Sequence, residues 1–138
     1  MSRGLTILLP TFNEVDGLAG VVEAIPLDEL TAAGWKPRIL VVDGRSTDGT
    51  QEKASELGLE LIVQGPASGK GMGMREAFAR FLASRDEVLV MLDADGTYAP
   101  AEIPQLLDRL SLGSVDVVIG SRLRGAIQPG AMSRFNWI

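Results

Sequence analysis

Five short apolar runs recur along the chain, and they constrain its fold more than any other feature of the sequence. They cover residues 5–9, 39–42, 59–63, 88–92 and 115–119. Apolar runs of this length, without polar alternation, are typical of strands that are buried on both faces of a sheet. The sequence therefore predicts five parallel strands.

Segments with helical spacing separate these runs, at about residues 16–25, 50–57, 72–83 and 102–110. Gly58 and Gly113 lie where helices are expected to end, and Pro100 suits a first helical turn. Since parallel neighbours need crossover connections, the alternation predicts an α/β fold with a doubly wound, mostly parallel sheet. The 138 residues fit one domain, 1–138.

Composition excludes several classes of function. The chain has no cysteine and no histidine, which rules out disulfides, thiolate nucleophiles, sulfur-based zinc sites and the commonest general base near neutral pH. A formal net charge of -5 argues against a nucleic-acid partner, because such proteins present basic surfaces to phosphates. No apolar run approaches the roughly 20 residues that span a bilayer. A cytoplasmic location is expected.

The candidate site residues share one property, which is that each follows a predicted strand. They are Pro10, Thr11, Glu14, Asp43, Lys70, Asp93, Asp95 and Arg122. Loops are often polar without being functional, so each segment taken alone is ambiguous. Because ligands of parallel sheets bind beyond the carboxyl ends of the strands, their joint placement predicts a site along one edge of the sheet.

Asp93 and Asp95 are the most informative pair. Residues two apart in an extended chain point the same way, and two carboxylates aimed at one point favour a bound cation. Oxygen ligands without histidine or cysteine select Mg²⁺ or Mn²⁺, which would also bridge a diphosphate. The alternative is an Asx-turn at Asp95-Gly96 without a ligand.

Three further side chains have competing interpretations. Asp43 ends a predicted strand and can accept a hydrogen bond from a donor such as a base imide, whereas Asp48 is expected to cap a helix. Lys70 lies between Gly69 and Gly71 before a helix, where it can meet a phosphate or can simply be solvated. The spacing of these glycines does not match a Walker loop.

Five segments together resemble the family-2 glycosyltransferases of the GT-A fold, especially the branch similar to dolichyl-phosphate mannose or glucose synthases. They are LPTFNE, VVDGRSTDGT, GKGMGMREAF, LDADGTYAP and VVIGSR, which occur in the family's order and spacing. The resemblance implies nucleoside contacts from Pro10, Thr11, Glu14 and Asp43. It also implies that Asp93 and Asp95 hold ribose, diphosphate and metal, with Arg122 near phosphate, so that Asp93, Asp95 and Arg122 form the catalytic set.

The same resemblance implies transfer of a hexose from a GDP- or UDP-sugar to an acceptor, polyprenyl phosphate, with inversion at the anomeric carbon. Gly44 and Thr97 depart from residues common in the family, Asp and Gln respectively, so a donor contact and the third metal ligand stay open. Members continue past the position of Ile138 into acceptor-binding helices and often membrane segments. The acceptor half is therefore expected to be largely missing, with Arg124 and Arg134 as candidate contacts to an acceptor phosphate and the longer protein at the cytoplasmic face of a membrane.

Two other functions are compatible with parts of the sequence. Asp93 to Thr97 also resembles the nucleophile motif of haloacid-dehalogenase-type phosphatases, and Ser121 could imitate their second motif. That nucleophile normally follows the first core strand, however, and here it follows the fourth predicted one. A sugar-nucleotide-binding module without catalytic activity is the other alternative.

Overall fold

The computed structural model describes residues 2–66 and 69–121, except for the side chain of Lys70. The chain divides into two compact units, Met1–Pro104 and Gln105–Ile138. The predicted roles of Arg122, Arg124 and Arg134 lie outside the described residues.

A four-stranded parallel sheet forms the centre of the first unit. Its strands are β1 (Arg3–Thr11), β2 (Trp35–Asp43), β3 (Glu60–Val63) and β4 (Val88–Met91), in the order β3-β2-β1-β4. The long β1–β2 ladder runs from Arg3 opposite Trp35 to Thr11 opposite Asp43. The sheet confirms the predicted α/β class, and each of these strands overlaps a predicted apolar run.

Helices alternate with the strands, and all but the last of them connect one strand to the next. They are α1 (Val15–Ala24), α2 (Leu27–Ala32), α3 (Thr50–Glu56), α4 (Lys70–Leu82) and α5 (Ile103–Ser111), and a 3₁₀ turn at Pro100–Glu102 leads into α5. Four of these helices match the predicted segments to within a few residues. The prediction missed α2, although Asp28 and Glu29 in its first turn and Gly34, with φ of 92°, are ordinary signals for the start and end of a helix.

Both faces of the sheet are buried, as the uninterrupted apolar runs predicted. On one face Leu8, Leu40 and Val42 form a cluster with Ala77 of α4. Ile7, Leu9 and Val41, which alternate with these residues along the central strands, point to the opposite face and are fully buried as well. Burial on both faces explains why these strands lack alternating polar residues.

The predicted fifth strand, residues 115–119, was wrong, because these residues form no strand in the described part of the chain. Val115, Val117 and Ile119 are exposed to 46%, 71% and 83% respectively. An apolar run specifies a preference for burial but carries no information about the strand with which it would pair. Backbone hydrogen bonds to a neighbouring strand, which this run does not make, are what define a strand.

An ion-pair network ties the sheet together toward the amino ends of its strands. Arg38 of β2 donates from Nε to Asp86 Oδ2 and from Nη1 to Glu60 Oε2, both at 2.6 Å. Thr6 of β1 donates to the same oxygen of Asp86, and Arg80 of α4 donates to Glu60 Oε1 at 2.7 Å. The network therefore links β1, β2, β3, α4 and the loop before β4.

Asp86 is ionised more readily in this network than in an unfolded chain. Burial raises its pKa, but the hydrogen bonds from Thr6 and Arg38 and the positive charges of Arg38 and Lys36 outweigh burial and bring the pKa below its ordinary value. A carboxylate whose pKa is lower in the folded state stabilises the fold above its unfolded pKa. That stabilisation is lost as the pH falls through the folded pKa.

We expect Asp86→Asn to lower the free energy of unfolding at pH 7 by about 1–3 kcal/mol, since it removes the charged acceptor of Arg38 and Thr6. The difference from wild type should shrink as the pH falls from about 5 to about 3, through the ordinary range of an aspartate. Urea unfolding at several pH values measures both effects. Glu87→Gln is the control, because Glu87 and its partner Arg3 are about half exposed and the pair should contribute no more than about 1 kcal/mol. A difference that stays constant with pH would contradict the assigned role.

Candidate functional site

The strand order creates a crevice at the carboxyl edge of the sheet. From β1 the chain crosses over to β2 and β3 on one side, whereas β4 lies on the other side of β1. The β1–β4 ladder ends at Leu8 opposite Met91, while the β1–β2 ladder continues to Thr11. The chain segments that follow β1 and β4 therefore separate, as they do at the ligand-binding switch points of other open α/β sheets.

A cavity of about 600 Å³ occupies this edge, a volume typical of sites for small molecules and cofactors. Five predicted site residues line it, namely Pro10, Thr11, Glu14, Asp93 and Asp95. The structure thus brings together residues that are more than 80 positions apart in the sequence. The predicted roles of the Lys70 side chain and of Arg122 lie outside what the structure describes.

Sequence reasoning missed other lining residues, which are Phe12, Val42, Gly44, Arg45, Gln64, Pro66, Gly69, Gly73 and Met74. Most of them directly follow a strand or lie in a glycine-rich segment before a helix. The topological rule that selected the polar residues would have selected these as well. Apolar side chains and glycine carry little chemical signal for binding, whereas Arg45 and Gln64 are polar residues after strands that the same rule would have identified.

Asp43 ends β2, as predicted, but its side chain is fully buried and does not line the cavity. Its Oδ1 accepts hydrogen bonds from the hydroxyls of Thr11, at 2.8 Å, and Ser46, at 2.6 Å. Its Oδ2 accepts from the backbone N–H of Ser46, at 2.7 Å, and from Gln51 Nε2, at 2.8 Å. The carboxylate thus joins the ends of β1 and β2 to the following loop and to α3.

These four donors fill the acceptor positions of an ionised carboxylate, which offers about two on each oxygen. Burial raises the pKa of Asp43, but the hydrogen bonds from Ser46, Thr11 and Gln51 outweigh it and bring the pKa below the ordinary value. Asp43 is therefore placed to organise the wall of the cavity. A direct contact with a nucleoside stays a prediction, and it would require one of these donors to move away.

The loops that follow β1 and β2 are joined by side-chain to backbone hydrogen bonds. The N–H of Asn13 donates to Ser46 Oγ at 2.8 Å, and the N–H of Thr47 donates to Asn13 Oδ1 at 3.0 Å. Asn13 and Arg45 have φ of 53° and 68°, in the left-handed region that residues other than glycine seldom adopt. The reciprocal bonds hold Asn13 in this conformation.

The first turns of two helices are held by the same pair of loops. The N–H of Val15, the first residue of α1, donates to Asp48 Oδ2 at 3.2 Å, and the N–H of Thr50 donates to Asp48 Oδ1 at 3.0 Å. The hydroxyl of Thr50 accepts from the N–H of Glu14 at 2.9 Å. Asp48 thus satisfies backbone donors at the starts of α1 and α3, as a capping residue does, although the N-cap position of α3 itself is Gly49.

Asp93 and Asp95 flank a tightly packed backbone segment. Ala94 between them is buried, and a Cβ atom on Gly17 of α1 would lie only 2.7 Å from the carbonyl oxygen of Ala94. The N–H of Thr97 donates to Asp95 Oδ1 at 2.8 Å. The Asx-turn considered for Asp95 is therefore present, and it coexists with the position of Asp95 on the cavity wall.

Negative charge is concentrated at this end of the cavity. Burial raises the pKa of Glu14, and the nearby carboxylates of Asp95, Asp48 and Asp93 raise it further. A cluster of like charges in a cavity suits a bound cation. Within residues 2–66 and 69–121, however, no three acidic side chains form a ready set of metal ligands, so Asp93 and Asp95 would supply only part of a coordination sphere.

The fold and the cavity define a GT-A type α/β domain with a binding site at its switch point. Comparison with known proteins gives the family: the family model "Glycosyl transferase family 2" matches residues 6–137. The chain belongs to glycosyl transferase family 2. The phosphatase alternative is thereby set aside, and Asp93 indeed follows the fourth strand in chain order rather than the first.

Two curated relatives and one solved structure illustrate the similarity. The chain is 42% identical over 130 residues to the glycosyltransferase AglJ of Haloferax volcanii, covering 94% of this chain and 39% of the relative. It is 37% identical over 142 residues to the polyprenol monophosphomannose synthase of Mycolicibacterium smegmatis, covering 95% of this chain and 48% of the relative. The chain thus spans less than half the length of either relative.

The solved structure is glucosyl-3-phosphoglycerate synthase of Mycobacterium tuberculosis, in complex with Mn²⁺, UDP-glucose and phosphoglyceric acid. It superposes with a TM-score of 0.63 at 25% identity, over 81% of this chain and 40% of that one.

No helix among the described residues is long and apolar enough to cross a membrane.

We expect Asp43→Asn to lower the free energy of unfolding by about 1–3 kcal/mol, because the amide nitrogen would replace an oxygen that accepts two buried hydrogen bonds. Chemical denaturation followed by circular dichroism measures the change. Glu23→Gln, on the exposed surface of α1, should change stability by no more than about 0.5 kcal/mol. Equal stability of Asp43→Asn and wild type would show that the four hydrogen bonds do not organise the site.

Proposed function

We propose that this chain binds a nucleotide diphosphate sugar in the cavity at the carboxyl edge of the sheet and transfers its hexose to an acceptor phosphate. The convergence of Pro10, Thr11, Glu14, Asp93 and Asp95 on one cavity carries this proposal. Membership of glycosyl transferase family 2 supports it, as does the UDP-glucose in the complex of the solved relative.

Asp93 and Asp95 would hold a divalent cation, Mg²⁺ or Mn²⁺, whose positive charge stabilises the leaving diphosphate when it is bound. The carboxylate cluster around Glu14 fits such a cation, because the cation would relieve the mutual repulsion of these groups. Asp93 and Asp95 would be the two carboxylates that the protein contributes to holding the cation. Lys70 and Arg122 are proposed to contact phosphate.

The reaction forms a bond between an acceptor oxygen and the anomeric carbon and breaks the bond from that carbon to the diphosphate. The electron pair leaves with the nucleoside diphosphate, and attack from the opposite side inverts the anomeric centre. An acceptor phosphate monoester is already an anion near neutral pH and needs no strong general base. This chemistry suits a chain without histidine.

For the acceptor we propose polyprenyl phosphate, with the protein acting at the cytoplasmic face of a membrane. The relative named as a polyprenol monophosphomannose synthase supports this choice. Since the chain spans 48% of that relative, acceptor binding is assigned to the part of the relative that has no counterpart here. Arg124 and Arg134 stay candidate contacts for an acceptor phosphate.

We expect Mn²⁺ to strengthen binding of the sugar nucleotide by about tenfold or more and Asp95→Asn to remove most of this effect. The asparagine keeps an oxygen for the N–H of Thr97, so the Asx-turn is retained while the negative charge is lost. Calorimetric titration with and without Mn²⁺ measures the effect, and Asp28→Asn, at an exposed position of α2, is the control. Binding to Asp95→Asn that stays as dependent on Mn²⁺ as wild type would reject the metal site.

Transfer itself is tested with a radiolabelled sugar nucleotide and polyprenyl phosphate in detergent. We expect the 138-residue chain to bind the donor without forming lipid-linked product, whereas a chain extended to the length of its relatives forms it. Product from the 138-residue chain would overturn the assignment of acceptor binding to a further segment. Binding without transfer by the extended chain would favour the non-catalytic module.

A further inference from the structure

The side-chain amide of Gln64 stands out among the residues that line the cavity. Gln64 is only 7% exposed, and its amide makes no hydrogen bond to any other residue that the structure describes. Its backbone is fixed, because its N–H donates to the carbonyl oxygen of Asp43 at 2.9 Å. Among the described residues, Arg38 Nη2 is the only fully enclosed side-chain nitrogen or oxygen without a partner, so the amide atoms of Gln64 are open to the cavity rather than enclosed. An amide that faces a cavity with its donors and its acceptor unused by the protein is available to a ligand.

Gly73 of α4 makes room for this amide. A Cβ atom on Gly73 would lie 2.6 Å from Gln64 Oε1, so any larger residue there would push the amide from its place. Gly73 is itself buried and costs stability in the interior of a helix, where alanine would be preferred. The presence of glycine at position 73 is explained if the Gln64 amide must occupy this place.

The surroundings of Gln64 indicate the kind of ligand group that it meets. Val42, Pro66 and Met74 line the cavity together with Gln64, and all three are apolar. Asp93, Asp95 and Glu14, which follow β4 and β1, line it as well and carry the negative charge. An apolar wall with a single amide suits the flat ring and polar edge of a nucleobase, whereas phosphate belongs with the cation at the carboxylates.

The sheet places Gln64 and Asp93 at a separation that suits a nucleoside diphosphate. Gln64 follows β3 and Asp93 follows β4, and these strands are the two edges of the order β3-β2-β1-β4. Three strand spacings of about 4.8 Å amount to about 14 Å, comparable with the length of an extended nucleoside diphosphate. A nucleotide with its diphosphate at Asp93 and Asp95 would therefore extend its base toward Gln64.

We propose that Gln64 reads the base of the donor nucleotide, donating one hydrogen bond and accepting another from a base that has an N–H beside a C=O. Uracil and guanine share this edge, and a primary amide is complementary to it. The inference rests on the proposed function, because it assigns the base subsite of the same cavity. It makes Gln64 a specificity-determining residue and Gly73 the residue that positions it.

Gln64→Leu and Gln64→Glu test the assignment by calorimetric titration with UDP, GDP and inorganic pyrophosphate in the presence of Mn²⁺. Leucine removes both hydrogen bonds, so the affinity for the preferred nucleotide should fall by about tenfold or more while the affinity for pyrophosphate stays unchanged. The fold should tolerate leucine, because the amide has no protein partner to lose. A melting temperature equal to or above that of wild type is expected.

Gln64→Glu distinguishes the two bases. A carboxylate only accepts hydrogen bonds. Glutamate should therefore lower the affinity for UDP, because the single N–H of uracil lies between two carbonyl groups. GDP should bind equally well or more tightly, because guanine offers two neighbouring N–H donors on that edge. Gly73→Ala, which displaces the amide without changing its chemistry, should lower nucleotide affinity in the same direction as leucine and leave pyrophosphate unaffected.

The possible results distinguish the role of Gln64 from the proposed function of the cavity. Nucleotide affinities within twofold of wild type in Gln64→Leu would overturn the role of Gln64 and leave the proposed function intact. An equal loss of UDP, GDP and pyrophosphate would overturn it too, by showing a general disturbance of the cavity. Failure of the wild-type protein to bind any of the three would reject the proposed function, and the base subsite with it.

Discussion

A single buried carboxylate, that of Asp43, holds together the part of the structure on which the site depends. An ionised group in the interior is unfavourable unless donors surround it, and Thr11, Ser46 and Gln51 provide four hydrogen bonds to it. Because these donors come from β1, from the loop after β2 and from α3, the carboxylate fixes three elements relative to one another. The wall of the cavity follows from that arrangement.

The two ends of the sheet use charge in opposite ways. Toward the amino ends, Arg38 lies between the carboxylates of Asp86 and Glu60, and opposite charges stabilise the fold. At the carboxyl ends, burial and the nearby carboxylates of Asp95, Asp48 and Asp93 raise the pKa of Glu14. Opposite charges are thus paired at one end of the sheet, and like charges are grouped at the other.

The sequence was sufficient to predict the features that depend on local pattern and simple topology. Continuous apolar runs predicted β1 to β4, and the rule for parallel sheets predicted that Pro10, Thr11, Glu14, Asp93 and Asp95 lie along one edge, where they line one cavity. Residues 115–119 have the same apolar character, and yet they form no strand. Pairing is a non-local property, and composition alone does not specify it.

The hydrogen bonding of Asp43 and Gln64 could not be obtained from the sequence for a related reason. A residue type states how many hydrogen bonds a side chain can make, but only the fold determines which of them are used internally. Asp43 was an obvious candidate for ligand contact, and its acceptor positions are filled by neighbouring residues. Gln64 was not among the predicted site residues, and its amide lines the cavity without a hydrogen bond to another described residue.

The joined loops after β1 and β2 have a thermodynamic consequence for recognition. Their conformation, including the left-handed backbone of Asn13, is fixed when the protein folds, by hydrogen bonds that do not involve a ligand. A ligand that enters the cavity therefore does not have to order these segments, so less of its interaction energy is lost to conformational entropy. Association at this wall of the cavity should resemble the docking of two rigid bodies, with an entropy of binding that is set mainly by the water released from its surface.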